Sequence, residues 1–200
     1  MIFVYGGRSP LQTSPQETRC DHLIQLLEES VAQDYIGEDV SQLEHALQCA
    51  HWAKRANPQD EEMILAALLH DIGHICVKGD SVPQMGGYGV AHHEEVGAEF
   101  LAKLGFSARV QALVKGHVEA KRYLVSQDPV YAGRLSPASQ ETLRHQGGVM
   151  SQEETTAFEK DCLFREKLQI RHFDELAKDK GRKVEGLDFY APMIVRHIHV

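Results

Sequence analysis

Aromatic residues make up only 7% of this 200-residue chain, and its four cysteines (Cys20, Cys49, Cys76 and Cys162) are scattered with no CxxC pair. The first is a modest scarcity in an otherwise ordinary composition. The second excludes a disulfide framework or thiolate zinc knuckle and suits reduced thiols in a cytosolic protein. Basic residues are in deficit, 21 Lys and Arg against 29 Asp and Glu, for a formal net charge of -8. No basic stripe exists to neutralise a nucleic-acid backbone, so nucleic acid is not expected as a partner. A small anion is not excluded, because a few local cations can outweigh global charge inside a pocket. No apolar run has the length of a transmembrane helix, and Met1–Tyr5 is too short and lacks the basic flank of a secretory signal. A cytoplasmic protein with no membrane association is therefore expected. Nothing points to a protein partner.

The abundant residue is histidine, twelve in all. The apolar helical run Ala66-Ala67-Leu68-Leu69 delivers His70-Asp71 and, after Ile72-Gly73, His74. Neighbours on a helix point about 100° apart, so His70 and Asp71 reach adjacent points of one cavity. An imidazole beside a carboxylate suits a hard or borderline divalent metal without thiolate. Alone, such a pair at a helix end could equally satisfy backbone groups. Its partners must decide.

The rest of the chain reads as helices. Residues 1–18, with Gly6-Gly7, Pro10 and Pro15, are expected to be an N-terminal extension, and 19–200 a single domain. Apolar spacing predicts a first helix from Arg19 through Val31. Ser41 with Glu44 reads as a capping box for a helix carrying His45, and Asp60 opens the helix that leads to His70. After a glycine-rich loop from Val77 to Val90, His92-His93-Glu94-Glu95 starts a helix closed by Gly105. Ser107 opens another through Gly116-His117, which continues or kinks at Ala120. Ser136-Pro137 heads a further helix ending at Gln146-Gly147-Gly148. Ser151 and Glu154 form another capping box, 163–177 is helical and carries Arg171 and Asp174, and Lys178–Gly186 is a charged turn. No strand series appears, so the expected fold class is all-α. His45, His93, His117 and Asp174 lie on helices other than the one carrying His70 and Asp71, and a bundle can turn all of them inward.

The order His45 … His70-Asp71 … Asp174 resembles the HD-domain superfamily, all-helical proteins that bind metal through an H…HD…D pattern. The inserted His93 and His117 match its six-ligand version, which holds two metals. Tyr35-Ile36-Gly37-Glu38, Gln42-Leu43-Glu44-His45, Leu65-Ala66-Ala67-Leu68-Leu69-His70-Asp71, Met85-Gly86-Gly87-Tyr88-Gly89-Val90, Gly116-His117-Val118 and Ala120-Lys121-Arg122-Tyr123-Leu124-Val125 further resemble PhnZ-type oxygenases. These are mixed-valent di-iron HD-domain enzymes that oxidatively cleave the C–P bond of 2-amino-1-hydroxyethylphosphonate. The match runs from about Leu23 to Asp174.

The resemblance implies an HD-domain helical bundle with His45, His70, Asp71, His93, His117 and Asp174 as ligands of two iron ions, Fe(II)/Fe(III), with Asp71 bridging and O2 as co-substrate. Spacing alone does not separate His92 from His93; the family pattern puts the ligand immediately before Glu94, hence His93. Tyr35 and Glu38 fall on a family loop associated with the substrate amine and the open iron, and His74 resembles a group near the substrate. With these three as catalytic residues, the resemblance implies a small organophosphonate substrate oxidised to glycine and phosphate. A phosphonate dianion needs cations and donors, for which Lys121, Arg171, Ser139 and Thr142 are the candidates. The alternatives are an oxygenase of the N-trimethylated analogue, an HD-type metal-dependent phosphohydrolase, and a metal-binding module without turnover.

Overall fold

Side-chain caps set most of the helix starts. In this computed structural model, which describes residues 14–35, 37–77, 79 and 82–199, the described residues form ten α-helices, two 3-10 turns and no strand. Ser14 caps α1 (Pro15–Glu29) and Ser41 caps α2 (Gln42–Ala56), each closing a capping box with a glutamate three residues on. Asp60 accepts from the Met63 N–H to start α3 (Glu61–Leu69). Ser107 heads α5 (Ala108–Gln127), Asp128 α6 (Pro129–Arg134), Ser136 α7 (Pro137–His145), and Ser151, with Glu154, α8 (Gln152–Phe158). Each supplies an acceptor to an otherwise orphaned N–H of the first turn. The other helices are α4 (His93–Leu104), α9 (Phe164–Leu176) and α10 (Leu187–His197).

Three elements differ from the expectation. The first helix begins at Pro15, not at about Arg19, because the Ser14 capping box and a proline at the first helical position act together. The remainder of the expected extension, residues 1–13, lies outside the described residues. Helix α6 is a short piece that periodicity does not reveal. Helix α10 has no side-chain cap and carries Pro192 inside it, yet it buries Leu187, Tyr190, Met193 and Ile194 along one stripe. At Gly116 there is no kink: α5 is continuous, and the space a Cβ would take is filled by the Lys167 aliphatic stem.

Helix α3 is the centre of the bundle. Every residue from Met63 to Leu69 is buried, and α2, α5, α9 and α10 pack around it. Full burial of each leucine or isoleucine is worth about 1.5–3 kcal/mol relative to exposure, so this run anchors the fold. It also aims the site. Just past α3, Gly73 sits in the 3-10 turn Ile72–His74, and a Cβ there would collide with the His93 carbonyl. The missing side chain lets this turn rest on the start of α4, bringing Asp71 and His93 together. No helix among the described residues is long and apolar enough to cross a membrane.

Candidate metal centre

Six side chains from five helices and one turn converge around Asp71. His45 (α2), His70 (the C-cap of α3), His93 (α4), His117 (α5) and Asp174 (α9) are all at most 3% exposed. The backbone at His92 is left-handed (φ 55°), leaving His92 exposed while His93 turns inward.

The Asp71 oxygens face two different groups. Oδ2 lies 3.2 Å from His70 Nε2 and 3.7 Å from His45 Nε2. Oδ1 lies 3.3 Å from His93 Nε2 and 3.4 Å from His117 Nε2. Asp174 belongs to the first group, its Oδ1 standing 3.3 Å from His45 Nε2. Burial opposes the charge on Asp71, but His70 and His93 together outweigh it and hold the carboxyl well below its usual range. Burial likewise opposes the charge on Asp174, and Arg171 together with His45 and His70 reverses the effect and holds the carboxyl well below its usual range.

Tautomers show what is missing between these rings. His45 Nδ1 donates to the Ala177 carbonyl at 2.9 Å and His70 Nδ1 to that of Ala67 at 2.9 Å. With both Nδ1 protons committed, the neutral rings present lone pairs at Nε2, and these two nitrogens are 3.2 Å apart. Two facing lone pairs require a cation. In the metal-free chain a proton serves: burial works against it, yet Asp71 and Asp174 lift the His70 pKa to about 9. A divalent metal satisfies the same lone pairs and two carboxylates as well. His117 follows the same pattern. Its Nδ1 donates to Val114 at 2.7 Å, burial drives its pKa down to about 3, and its Nε2 faces His93 Nε2 at 3.0 Å. His93 Nδ1 and Glu94 Oε2 are both buried without a hydrogen-bond partner and stand 3.5 Å apart. A slight closing there makes the carboxylate–imidazole bond that commonly orients a metal-binding histidine. The donor set fits metal ions, with oxygen and nitrogen ligands in two groups sharing one carboxylate.

The HD domain family model matches residues 42–179, a span that begins just before His45 and ends just after Asp174. The chain belongs to the HD-domain family. Two curated relatives match most of its length. The 1-hydroxy-2-(trimethylamino)ethylphosphonate dioxygenase (glycine-betaine-forming) of Leisingera caerulea is 39% identical over 166 residues, 83% of this chain and 83% of the relative. The hydroxymethylphosphonate dioxygenase of Gimesia maris is 40% identical over 182 residues, 90% of this chain and 88% of the relative.

Beside this cluster of donors lies a cavity lined on one side by Asp71, His93, His117 and Asp174. Its other walls include Tyr35, Glu38, His74, Lys121, Ser139, Thr142 and Arg171, so every pocket residue expected from the sequence reaches it. Lys121 is 3% exposed and donates to Thr142 Oγ1 at 2.7 Å and Gln146 Oε1 at 2.9 Å. Burial and the nearby Arg171 depress its pKa to about 7. Gln146 was not foreseen, although Ser139, Thr142 and Gln146 recur at helical spacing on one face and that pattern is visible in the sequence. Arg171 also does more than expected. It donates to Asp174 Oδ2 and to Glu175, and its Nε donates to Tyr131 Oη at 2.7 Å, so Tyr131 on the unforeseen α6 fixes the guanidinium that holds Asp174.

Tyr35 stacks on His45 (centroids 3.8 Å apart, planes at 15°) and its hydroxyl donates to Asp174 Oδ1 at 3.3 Å. His74 stacks on His93 (4.0 Å, 17°), and its Nδ1 accepts the Val90 N–H at 3.1 Å. Burial pushes the His74 pKa well below its ordinary value, so the ring is neutral and its single proton sits on Nε2. That nitrogen is a hydrogen-bond donor for whatever occupies the cavity. Accordingly, His74→Ala is expected to keep the metal content of the wild type while lowering kcat about a hundredfold, read by elemental analysis alongside steady-state rates. A variant that loses its metal instead makes His74 a ligand.

Proposed function

We propose that this HD-domain protein is an O2-dependent oxygenase that cleaves the C–P bond of a small 1-hydroxyphosphonate, with 2-amino-1-hydroxyethylphosphonate as substrate and glycine and phosphate as products. One observation carries the reading: two groups of potential metal donors share Asp71 and open onto a cavity whose other walls include a buried lysine beside the Ser139 and Thr142 hydroxyls. Both dioxygenase relatives are named for phosphonates, which supports the same class.

His45, His70, Asp174 and Asp71 Oδ2 would hold one iron, and His93, His117 and Asp71 Oδ1 the other. Bound there, a mixed-valent iron pair supplies the one-electron chemistry needed to activate O2. The protein's own groups handle the substrate. Lys121 binds a phosphonate oxygen as an ammonium, assisted by Thr142 and Ser139, and the phosphonate in turn stabilises the charge that burial disfavours. His74 Nε2–H donates to the substrate or its oxygenated product. Glu38 accepts from the amine at the other end of the molecule. Tyr35 covers Asp174 until substrate enters.

The test is phosphate release from the aminohydroxyphosphonate by iron-loaded protein, compared with and without O2. Phosphate and glycine in equal amounts, formed only with O2, are expected. Phosphate released equally without O2 would assign a hydrolase, in which the same two groups of ligands activate water. EPR of a partly oxidised iron-loaded sample is expected to give a mixed-valent signal that substrate perturbs.

A further inference from the structure

Glu38 on the cavity wall is held in an ion pair by a lysine from outside the lining, a residue that the proposed chemistry leaves unused. Lys178, two residues past the end of α9, donates from Nζ to Glu38 Oε1 at 3.0 Å, and both side chains are only 17% exposed. Among the described residues the Glu38 carboxylate makes no other hydrogen bond. The next acid from Lys178 is Glu175 Oε2, at 4.0 Å, and Glu175 is already engaged by Arg171.

Resting on the phosphonate-oxygenase reading, we propose that Lys178 determines which ammonium tails the cavity accepts. Its charge cancels that of Glu38 but occupies only one carboxylate oxygen. What remains is a directional acceptor with little net charge. A primary ammonium can donate a hydrogen bond to the free oxygen. A trimethylammonium has no N–H to donate and binds through net charge and aromatic faces, and both are deficient here. The Tyr35 ring has one face covered by His45. Among the described residues Tyr88 is the other tyrosine on the cavity wall and no phenylalanine or tryptophan lines it, so the described residues close no cage of such rings around a bulky cation. The cavity therefore selects the primary amine over its trimethylated analogue, and Lys178 is the residue that makes Glu38 selective.

Lys178→Met restores the full charge of Glu38. The ratio of kcat/KM for the trimethylated substrate to that for the primary amine is expected to rise roughly tenfold, as befits one unscreened charge in a half-open pocket. Lys178→Arg keeps the positive charge and is expected to stay within about twofold of wild type. The same ratio is read without turnover, by calorimetric binding of both compounds to iron-loaded protein kept free of O2. An unmoved ratio in Lys178→Met, or an equal rise in Lys178→Arg, overturns the proposal. If Lys178→Met does not fold, Lys178→Gln replaces it; if neither folds while Lys178→Arg does, Lys178 is a structural pin and the proposal fails. Wild-type protein that binds both compounds but oxidises neither refutes the oxygenase reading, and the binding ratio still decides the role of Lys178.

Discussion

Under the proposed two-metal assignment, Asp71→Ala is expected to reduce bound metal from two ions per chain to one or none, and turnover at least a thousandfold. Its two oxygens face the two histidine groups: Oδ2 toward His70 and His45, Oδ1 toward His93 and His117. Removing the side chain takes a carboxylate oxygen from each group, and the one negative charge that they share, at once. The first group retains Asp174, hydrogen-bonded by Arg171, and so keeps a complete imidazole and carboxylate set of its own. The second retains only His93 and His117 at the shared point, too few for a tight site. Loss is therefore expected first at the second group. Elemental analysis of the purified variant measures it, with circular dichroism to show that the helices persist. A variant that still binds two ions would mean that the groups do not share Asp71.

Lys121→Met is expected to weaken phosphonate binding about a hundredfold and yet stabilise the metal-free protein at neutral and acidic pH. In the folded chain burial brings the lysine pKa to about 7, whereas in the unfolded chain it lies near ~10.4. Between these values the unfolded state binds more protons than the folded one. Stability therefore falls as pH drops from about 10.4 to about 7 and is level below that, a loss on the order of 4–5 kcal/mol. Methionine has no charge to bury. Its advantage over wild type should be full at pH 6 and nearly gone at pH 10, as denaturant unfolding at both values will show. The same shift predicts proton uptake when a phosphonate dianion binds at pH 8: close to one proton for wild type and none for Lys121→Met, measured by calorimetry in buffers of different ionisation enthalpy. An advantage for methionine that does not vary with pH would mean that Lys121 carries its charge comfortably in the empty cavity.

Much of the architecture was legible in the chain because caps and apolar periodicity act over three or four residues. Ser41 with Glu44, Asp60, Ser107, Ser136 and Ser151 with Glu154 each start the helix expected of them. Helix α10 was not legible, since it has no cap and contains a proline, and only packing of Tyr190 and its neighbours holds it. Tyr131 escaped for a related reason: nothing local distinguishes it, and its role exists only through Arg171, forty residues away.

By itself the sequence determined an all-helical chain, the chemistry of its donors and, through motif resemblance, the HD-domain membership that the family match establishes. Only the tertiary structure decided how those donors divide. That Asp71 turns one oxygen to each histidine group depends on Gly73 admitting the His93 backbone. The pairing of Lys178 with Glu38 joins residues 140 positions apart, and Tyr35 reaches Asp174 across 139. A side chain's type and helical phase are local properties. Which partner it meets is set by how the helices pack.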